Sequence, residues 1–189
     1  MKEKVLIVSG HTDLNASVAN RTIIDRLGQL LPEAEVVRLD ERYPDFRIDA
    51  AAEQERLRAA DVVVLQFPLF WYGAPSLLMR WIEQTFLHGF SHGSTGTALR
   101  GKRLVLSVTA GAPEEAYAPD GAAGAGIEDF LMGFRATCRL CGMVYAGCVF
   151  TGGVSYGMRT NPEQIDEQRL RSEAHAGRLA ALIGRIAHR

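Results

Sequence analysis

What this chain lacks narrows it before any motif is read. It has no apolar run approaching the ~20 residues that a membrane-spanning helix needs, so a membrane protein is not indicated. Charge of one sign is not in excess: 21 Lys and Arg stand against 22 Asp and Glu, which leaves no electrostatic footprint for nucleic acid or an acidic membrane surface. Cysteine is sparse, three residues without disulfide-framework spacing, and no signal peptide precedes Val5; both point to a reducing cytoplasm. Cys138 and Cys141 form a C-x-x-C, but no second pair exists for zinc, and the two continue the apolar stripe Ile127, Phe130, Leu131, Phe134, so they read as packing. The histidines at 11, 88, 92, 175 and 188 are scattered, and no metal site is expected. Repeats, low-complexity tracts and linkers are absent, and 189 residues suit a single domain over 1–189.

What is present is an alternation of short apolar runs and helical stripes, with the 47% hydrophobic and 23% charged residues of an ordinary globular protein. It centres on residues 61–86, DVVVLQFPLFWYGAPSLLMRWIEQTF. Val62, Val63, Val64 and Leu65 make an unbroken run that suits a central strand buried on both faces. After Pro75, well placed in a first helical turn, Leu77, Leu78, Trp81, Ile82 and Phe86 recur at helical spacing. Between strand and helix, Pro68-Leu69-Phe70-Trp71-Tyr72-Gly73 puts aromatic side chains at the carboxyl end of a strand, where open α/β sheets bind ligands. The ligand expected there is flat.

Four more strands are expected over 5–8, 35–39, 104–109 and 143–151. Further helices are expected after the first strand, with Ile23, Ile24, Leu27 and Leu31 on one face, then over 50–60 and 126–141. A last helix follows the capping run Asn161-Pro162-Glu163-Gln164 and carries Leu179, Leu182, Ile183 and Ile186. The link 41–49, with Tyr43 and Phe46, is expected as an irregular flap, and 89–101 as a Gly-rich loop holding Phe90, Ser91 and His92. Five strands alternating with five helices imply an open, doubly wound, five-stranded parallel α/β sheet of order 2-1-3-4-5 with helices on both faces. In that order the turns after strands one, three and four converge. Ser17, ahead of Ala19 and Asn20, stands as an N-cap whose hydroxyl and free first-turn N–H groups suit an anion; a plain cap is the alternative.

The first turn is not G-x-G-x-x-G and no Walker A lysine follows it. Gly153-Val154-Ser155-Tyr156-Gly157 does match G-x-S-x-G, which in a serine hydrolase would hold Ser155 on a strand-to-helix elbow. The next helix starts only at Asn161-Pro162, and the downstream His175 and His188 fall inside it, so the hydrolase is the lesser alternative.

Residues 66–86, the upstream Tyr43-Pro44-Asp45-Phe46 with Ala51-Ala52-Glu53-Gln54, and Thr97-Ala98-Leu99-Arg100-Gly101-Lys102 together resemble the flavodoxin-like NAD(P)H:quinone oxidoreductases over nearly the whole chain. The Tyr-Pro-Asp-Phe link resembles in particular the ancillary quinone reductases of the Kef potassium-efflux systems. The resemblance implies FMN, or FAD in its place, as cofactor, with NAD(P)H as co-substrate and a quinone as acceptor. It also implies a homodimer and a potassium-efflux membrane protein as partner, which would hold a cytoplasmic enzyme against the inner membrane. His11 and Ser17-Val18-Ala19-Asn20 match the family's phosphate turn, and Pro68, Leu69, Phe70, Trp71 and Tyr72 its second flavin turn. Thr109-Ala110-Gly111-Ala112 stands where the family has Thr-Thr-Gly-Gly. No acid–base residue carries over directly; Tyr72, Tyr117 and His92, which replaces an aromatic such as Tyr, are the candidates. The bland alternative for Phe70, Trp71 and Tyr72 is core or dimer packing. The implied reaction is a two-electron, ping-pong quinone reduction, and its rival is a flavin-binding regulatory subunit with little turnover.

Overall fold

The computed structural model describes residues 3–187. Five parallel strands, β1 (Val5–Ser9), β2 (Glu35–Arg38), β3 (Val62–Pro68), β4 (Arg103–Thr109) and β5 (Val144–Thr151), form one sheet in the order β2-β1-β3-β4-β5. Every residue of β3 is buried, as its unbroken apolar run requires of a central strand.

Successive strand residues point to opposite faces, so each strand feeds two cores. One core joins Leu6, Val8, Val63, Leu65, Phe67, Leu104 and Leu106 to three helices: α3 (Ala50–Ala59), α4 (Ser76–Thr85) and α6 (Met132–Cys141). The other joins Ile7, Val62, Val64, Val105 and Val149 to α1 (Val18–Leu30) and α7 (Pro162–Ala187). The first face stays apolar along its length. The second turns polar toward the carboxyl ends: Ser9 follows Ile7, Gln66 follows Val64, Ser107 and Thr109 follow Val105, and Thr151 follows Val149, all of them buried. A buried polar layer costs stability unless every group is hydrogen-bonded, so its place beneath the strand ends calls for a reason.

Three local expectations change. The expected flap begins with a short helix, α2 (Leu39–Arg42), and its Tyr43 is a core residue. The Tyr43 hydroxyl donates to Glu53 Oε1 at 2.7 Å, Trp81 Nε1 donates to Glu53 Oε2 at 3.0 Å, and Arg56 Nη1 donates to Glu53 Oε1 at 2.9 Å. Burial, with the Glu53 carboxylate beside it, pushes the Tyr43 phenol up to about 12. Of the link's two aromatic residues only Phe46, at φ 61, stays at the surface. The helix expected over 126–141 is two, α5 (Ile127–Phe130) and α6, because Leu131 (φ −100, ψ 4) leaves helical geometry and drops fully into the core. No helix among the described residues is long and apolar enough to cross a membrane.

Candidate functional site

The carboxyl ends of β1, β3, β4 and β5 open onto one cavity of about 230 Å³. Its first wall is the β1–α1 connection, with His11, Ser17, Val18, Ala19 and Asn20. Ser17 caps α1: its Oγ accepts from Asn20 N–H at 3.1 Å and from Asn20 Nδ2 at 3.0 Å. With both lone pairs engaged, its single proton is left to donate, beside the Val18 and Ala19 N–H groups that a helix start leaves unpaired within the helix. Asn20 is aimed from below, since its Oδ1 accepts from Gln66 Nε2 at 2.5 Å and from Thr109 Oγ1 at 3.0 Å. Gln66 Oε1 in turn accepts from Ser9 Oγ at 3.4 Å. Three of the five polar strand-end residues, Ser9, Gln66 and Thr109, thus orient one hydroxyl toward the cavity.

His11 Nδ1 accepts from Asp13 N–H at 3.0 Å, so the neutral ring carries its proton on Nε2. The ring meets Phe70 edge-on at 5.6 Å. Among the described residues, none of the fifteen that line the cavity is Lys, Arg, Asp or Glu. An anion here would be held by N–H and O–H dipoles and the amino end of α1.

Pro68, Leu69 and Phe70 form the second wall, fixed to the third by Leu69 N–H donating to Thr109 O at 2.7 Å. Trp71 and Tyr72, expected with them, stand outside the lining. Phe70 and Gly73 exchange backbone hydrogen bonds at 2.9 and 3.0 Å, and the two residues between them sit at φ 50 and φ 63. Such positions in a tight turn favour Gly or Asn, so a consecutive Trp-Tyr pair is strained. The turn leaves Trp71 97% exposed and Tyr72 55% exposed. Tyr72 stacks on Phe130 at 5.2 Å, Phe130 meets Tyr117 at 6.0 Å, and Tyr117 meets Phe150 at 5.3 Å. Tyr72 and Tyr117 therefore belong to one aromatic row beside the cavity. Burial, and then the neighbouring Tyr72, raise the Tyr117 phenol above its ordinary value, so it stays protonated at neutral pH.

Thr109, Ala110 and Gly111 form the third wall; Ala112 lies outside it, its carbonyl accepting from Gly153 N–H at 2.8 Å. That bond belongs to a fourth wall that sequence reasoning did not place: Val154, Ser155 and Tyr156 after β5, and Gln168 on α7. Val154 N–H donates to Ala110 O at 3.1 Å, and Gln168 Nε2 donates to Ser155 O at 2.9 Å. A Cβ on Gly152 would stand 2.6 Å from Glu114 N and 2.7 Å from Ala112 O, so only glycine lets the two loops approach. The signal was available in the small-residue turn that ends β5, as at β1 and β4.

Ser155 of the G-x-S-x-G match lines the cavity but is not paired with His175. Its Oγ accepts from Gly157 N–H at 3.2 Å, while His175 is held by Ser107 and Thr151. His188 lies outside the described residues. His92 is a second correction: it lines a separate groove with Arg100, Arg139 and Cys141, and its Nδ1 lies 2.9 Å from Ser91 Oγ. Because α4 runs back along β3, the loop after it returns to the amino edge of the sheet, where Gly101 N–H donates to Gly142 O and Arg103 N–H to Asp61 O. Burial pushes the Cys138 thiol up to about 11 and Cys148 up to about 12, so neither is a nucleophile at neutral pH. Among the described residues no three His, Cys, Asp or Glu side chains are gathered for a metal ion.

Comparison with known proteins agrees with this geometry. Residues 3–176 match the family described as having a flavodoxin-like fold. KefG, an ancillary protein of the glutathione-regulated potassium-efflux system of Cronobacter sakazakii, is 41% identical over 140 residues, which are 74% of this chain and 76% of that one. The uncharacterized NAD(P)H oxidoreductase YrkL of Bacillus subtilis is 36% identical over 140 residues, 74% of this chain and 80% of that one. Among solved structures, general stress protein 14 of Treponema denticola in complex with FMN is similar at a TM-score of 0.82 and 28% identity, over 95% of this chain and 99% of that one. With residues 3–176 of its 189 matched by the family, this chain belongs to the flavodoxin-like family.

Proposed function

We propose that the protein is an FMN-dependent NAD(P)H:quinone oxidoreductase. The observation that carries the reading is the cavity itself, a donor-only corner at the start of a helix beside an apolar, aromatic wall, with no charged side chain between them among the described residues. A phosphate monoester fits the corner, through the Ser17 hydroxyl, the N–H groups of Val18 and Ala19, and His11. A flat ring system fits between Pro68, Leu69 and Phe70 on one side and Thr109, Ala110 and Gly111 on the other. The FMN complex of the Treponema relative and the oxidoreductase name of the Bacillus relative support the same assignment.

When bound, FMN supplies the hydride chemistry, taking two electrons from a nicotinamide and passing them to a quinone. The chain's own part is to hold and orient. Ser17 and the amino end of α1 anchor the phosphate, Leu69 and Phe70 exclude water, and Tyr117 and Tyr72 offer hydroxyl protons at the rim. Donor and acceptor both need the side bounded by the turns at 69–72 and 109–112, so they exclude each other. Varying NAD(P)H at several fixed concentrations of a small benzoquinone should therefore give parallel double-reciprocal lines. Anaerobic NAD(P)H alone should bleach the flavin before quinone is added. Intersecting lines would mean a ternary complex and overturn the mechanism.

The ancillary role in the name of the Cronobacter relative favours a second reading, a flavin-binding partner of a potassium-efflux protein. It predicts flavin that is bound but turned over slowly with every quinone tried. In either case the exposed Trp71 on the aromatic turn, Met79 on α4 and Leu87 just past its end suit burial against a second copy of the chain.

A further inference from the structure

The two polar strand-end residues that do not reach Ser17, Ser107 and Thr151, lead elsewhere. His175, on α7 and fully buried, is bonded at both ring nitrogens: Nε2 lies 2.8 Å from Ser107 Oγ on β4, and Nδ1 lies 2.8 Å from Thr151 Oγ1 on β5. A guanidinium can only donate, and Arg178 Nη2 donates to Thr151 Oγ1 at 2.7 Å and to the Phe150 carbonyl at 3.0 Å. Donation from a cation polarises the Thr151 hydroxyl and makes it the stronger donor, which directs its proton to Nδ1. The ring proton then sits on Nε2 and goes to Ser107. The chain runs one way, from Arg178 through Thr151 and His175 to Ser107.

Two members of this chain, Ser107 and Thr151, connect to residues that line the cavity. Ser107 is two residues before Thr109, whose hydroxyl donates to Asn20, the residue that aims Ser17. Thr151 opens the turn that carries Val154 and Ser155, and its carbonyl accepts from Ala110 N–H at 3.0 Å. One face of α7 presents Gln168, Ser172 and His175, all buried; Ser172 Oγ donates to Gln168 O at 2.7 Å, and Gln168 holds Ser155.

We propose that His175 is a positioning residue of the cavity: by joining the carboxyl ends of β4 and β5 to α7, it sets the spacing between the third and fourth walls and so the tightness with which the bound group is held. Only the identity of that group, FMN, rests on the function proposed above. His175 touches no reacting atom, and its effect is transmitted through Thr109 and the 152–156 turn.

The test compares His175→Phe, which keeps the ring volume and loses both bonds, with His175→Gln, which can still accept at one atom and donate at another. FMN affinity is read by flavin fluorescence quenching. His175→Phe should weaken FMN binding by about tenfold, the scale of one lost buried hydrogen bond, and His175→Gln should restore it to within about threefold of wild type. A folded His175→Phe with wild-type affinity overturns the proposal, as does His175→Gln that is no better than Phe. Should His175→Phe not fold, Ser107→Ala removes one bond alone and should weaken binding by about threefold or more; unchanged affinity overturns the proposal. Nitrogen NMR on 15N-histidine protein without cofactor should show Nε2 protonated and Nδ1 bare. The opposite tautomer overturns the stated direction. Wild-type protein that binds no FMN overturns the cofactor assignment and leaves the NMR result to judge the brace by itself.

Discussion

Ser17 does two things with one oxygen, and a single substitution can separate them. Asp is as good an N-cap as Ser, so Ser17→Asp should keep α1 and the melting temperature, yet it places a carboxylate beside an incoming phosphate. FMN affinity, followed by fluorescence quenching, should fall by about tenfold or more while thermal melting moves little, the size of one lost charge-assisted contact. Unchanged affinity would put the phosphate elsewhere. His175 gives a pH test. Burial, and then Arg178, hold its imidazole down to about 3. A base whose folded pKa is depressed gives stability that is complete above its unfolded value of about 6.5 and is lost as pH falls from there toward 3. Across that window the unfolded chain holds one more proton, so this contribution declines by about 1.4 kcal/mol per pH unit. Urea titrations of wild type and His175→Gln should show the stability difference shifting against wild type at that slope between pH 6 and 4, about two units of the window. A difference independent of pH would contradict the buried, neutral ring.

At the scale of elements, α2, α3 and α4 meet at Glu53, a fully buried carboxylate that satisfies Tyr43, Trp81 and Arg56 at once. Glu53→Ala leaves all three donors without their acceptor and should cost about 3–5 kcal/mol, measured by denaturant unfolding. A loss below about 1 kcal/mol would mean that water enters and replaces the carboxylate. Strands were legible in the sequence because each is a short apolar run that must be buried on both faces, and β1, β3 and β4 announce their turns with small residues or aromatics. The fourth wall was legible only as the Gly152-Gly153 turn that ends β5; that Val154, Ser155 and Tyr156 reach the cavity is set by long-range bonds to Ala110 and Gln168. Tyr43 was misread for a related reason. Its burial is decided by Glu53 and Trp81, ten and thirty-eight positions away along the chain. His92 was misplaced because residue type alone does not say to which edge of a sheet a loop returns.

For the molecule as a whole, Trp71 joins backbone strain to an exposed apolar surface. Each left-handed non-glycine residue costs roughly 1–2 kcal/mol, and a ring that is 97% exposed returns no packing within one chain. Trp71→Gly should therefore leave a single chain as stable as wild type or about 1 kcal/mol more so. If a second copy covers this surface, the same change should shift light scattering from dimer toward monomer at micromolar concentration. A dimer of unchanged affinity would move the interface elsewhere. The two halves of the sheet differ in another respect. The side chains buried in its amino-terminal rungs are apolar on both faces, while its carboxyl-terminal rungs bury Ser9, Gln66, Ser107, Thr109 and Thr151 on one. On unfolding, apolar surface raises the heat capacity and polar surface lowers it. Each polar rung beneath the cavity therefore subtracts from the heat-capacity change where an apolar rung would add to it. The layer that aims donors at a ligand also flattens the temperature dependence of the protein's stability.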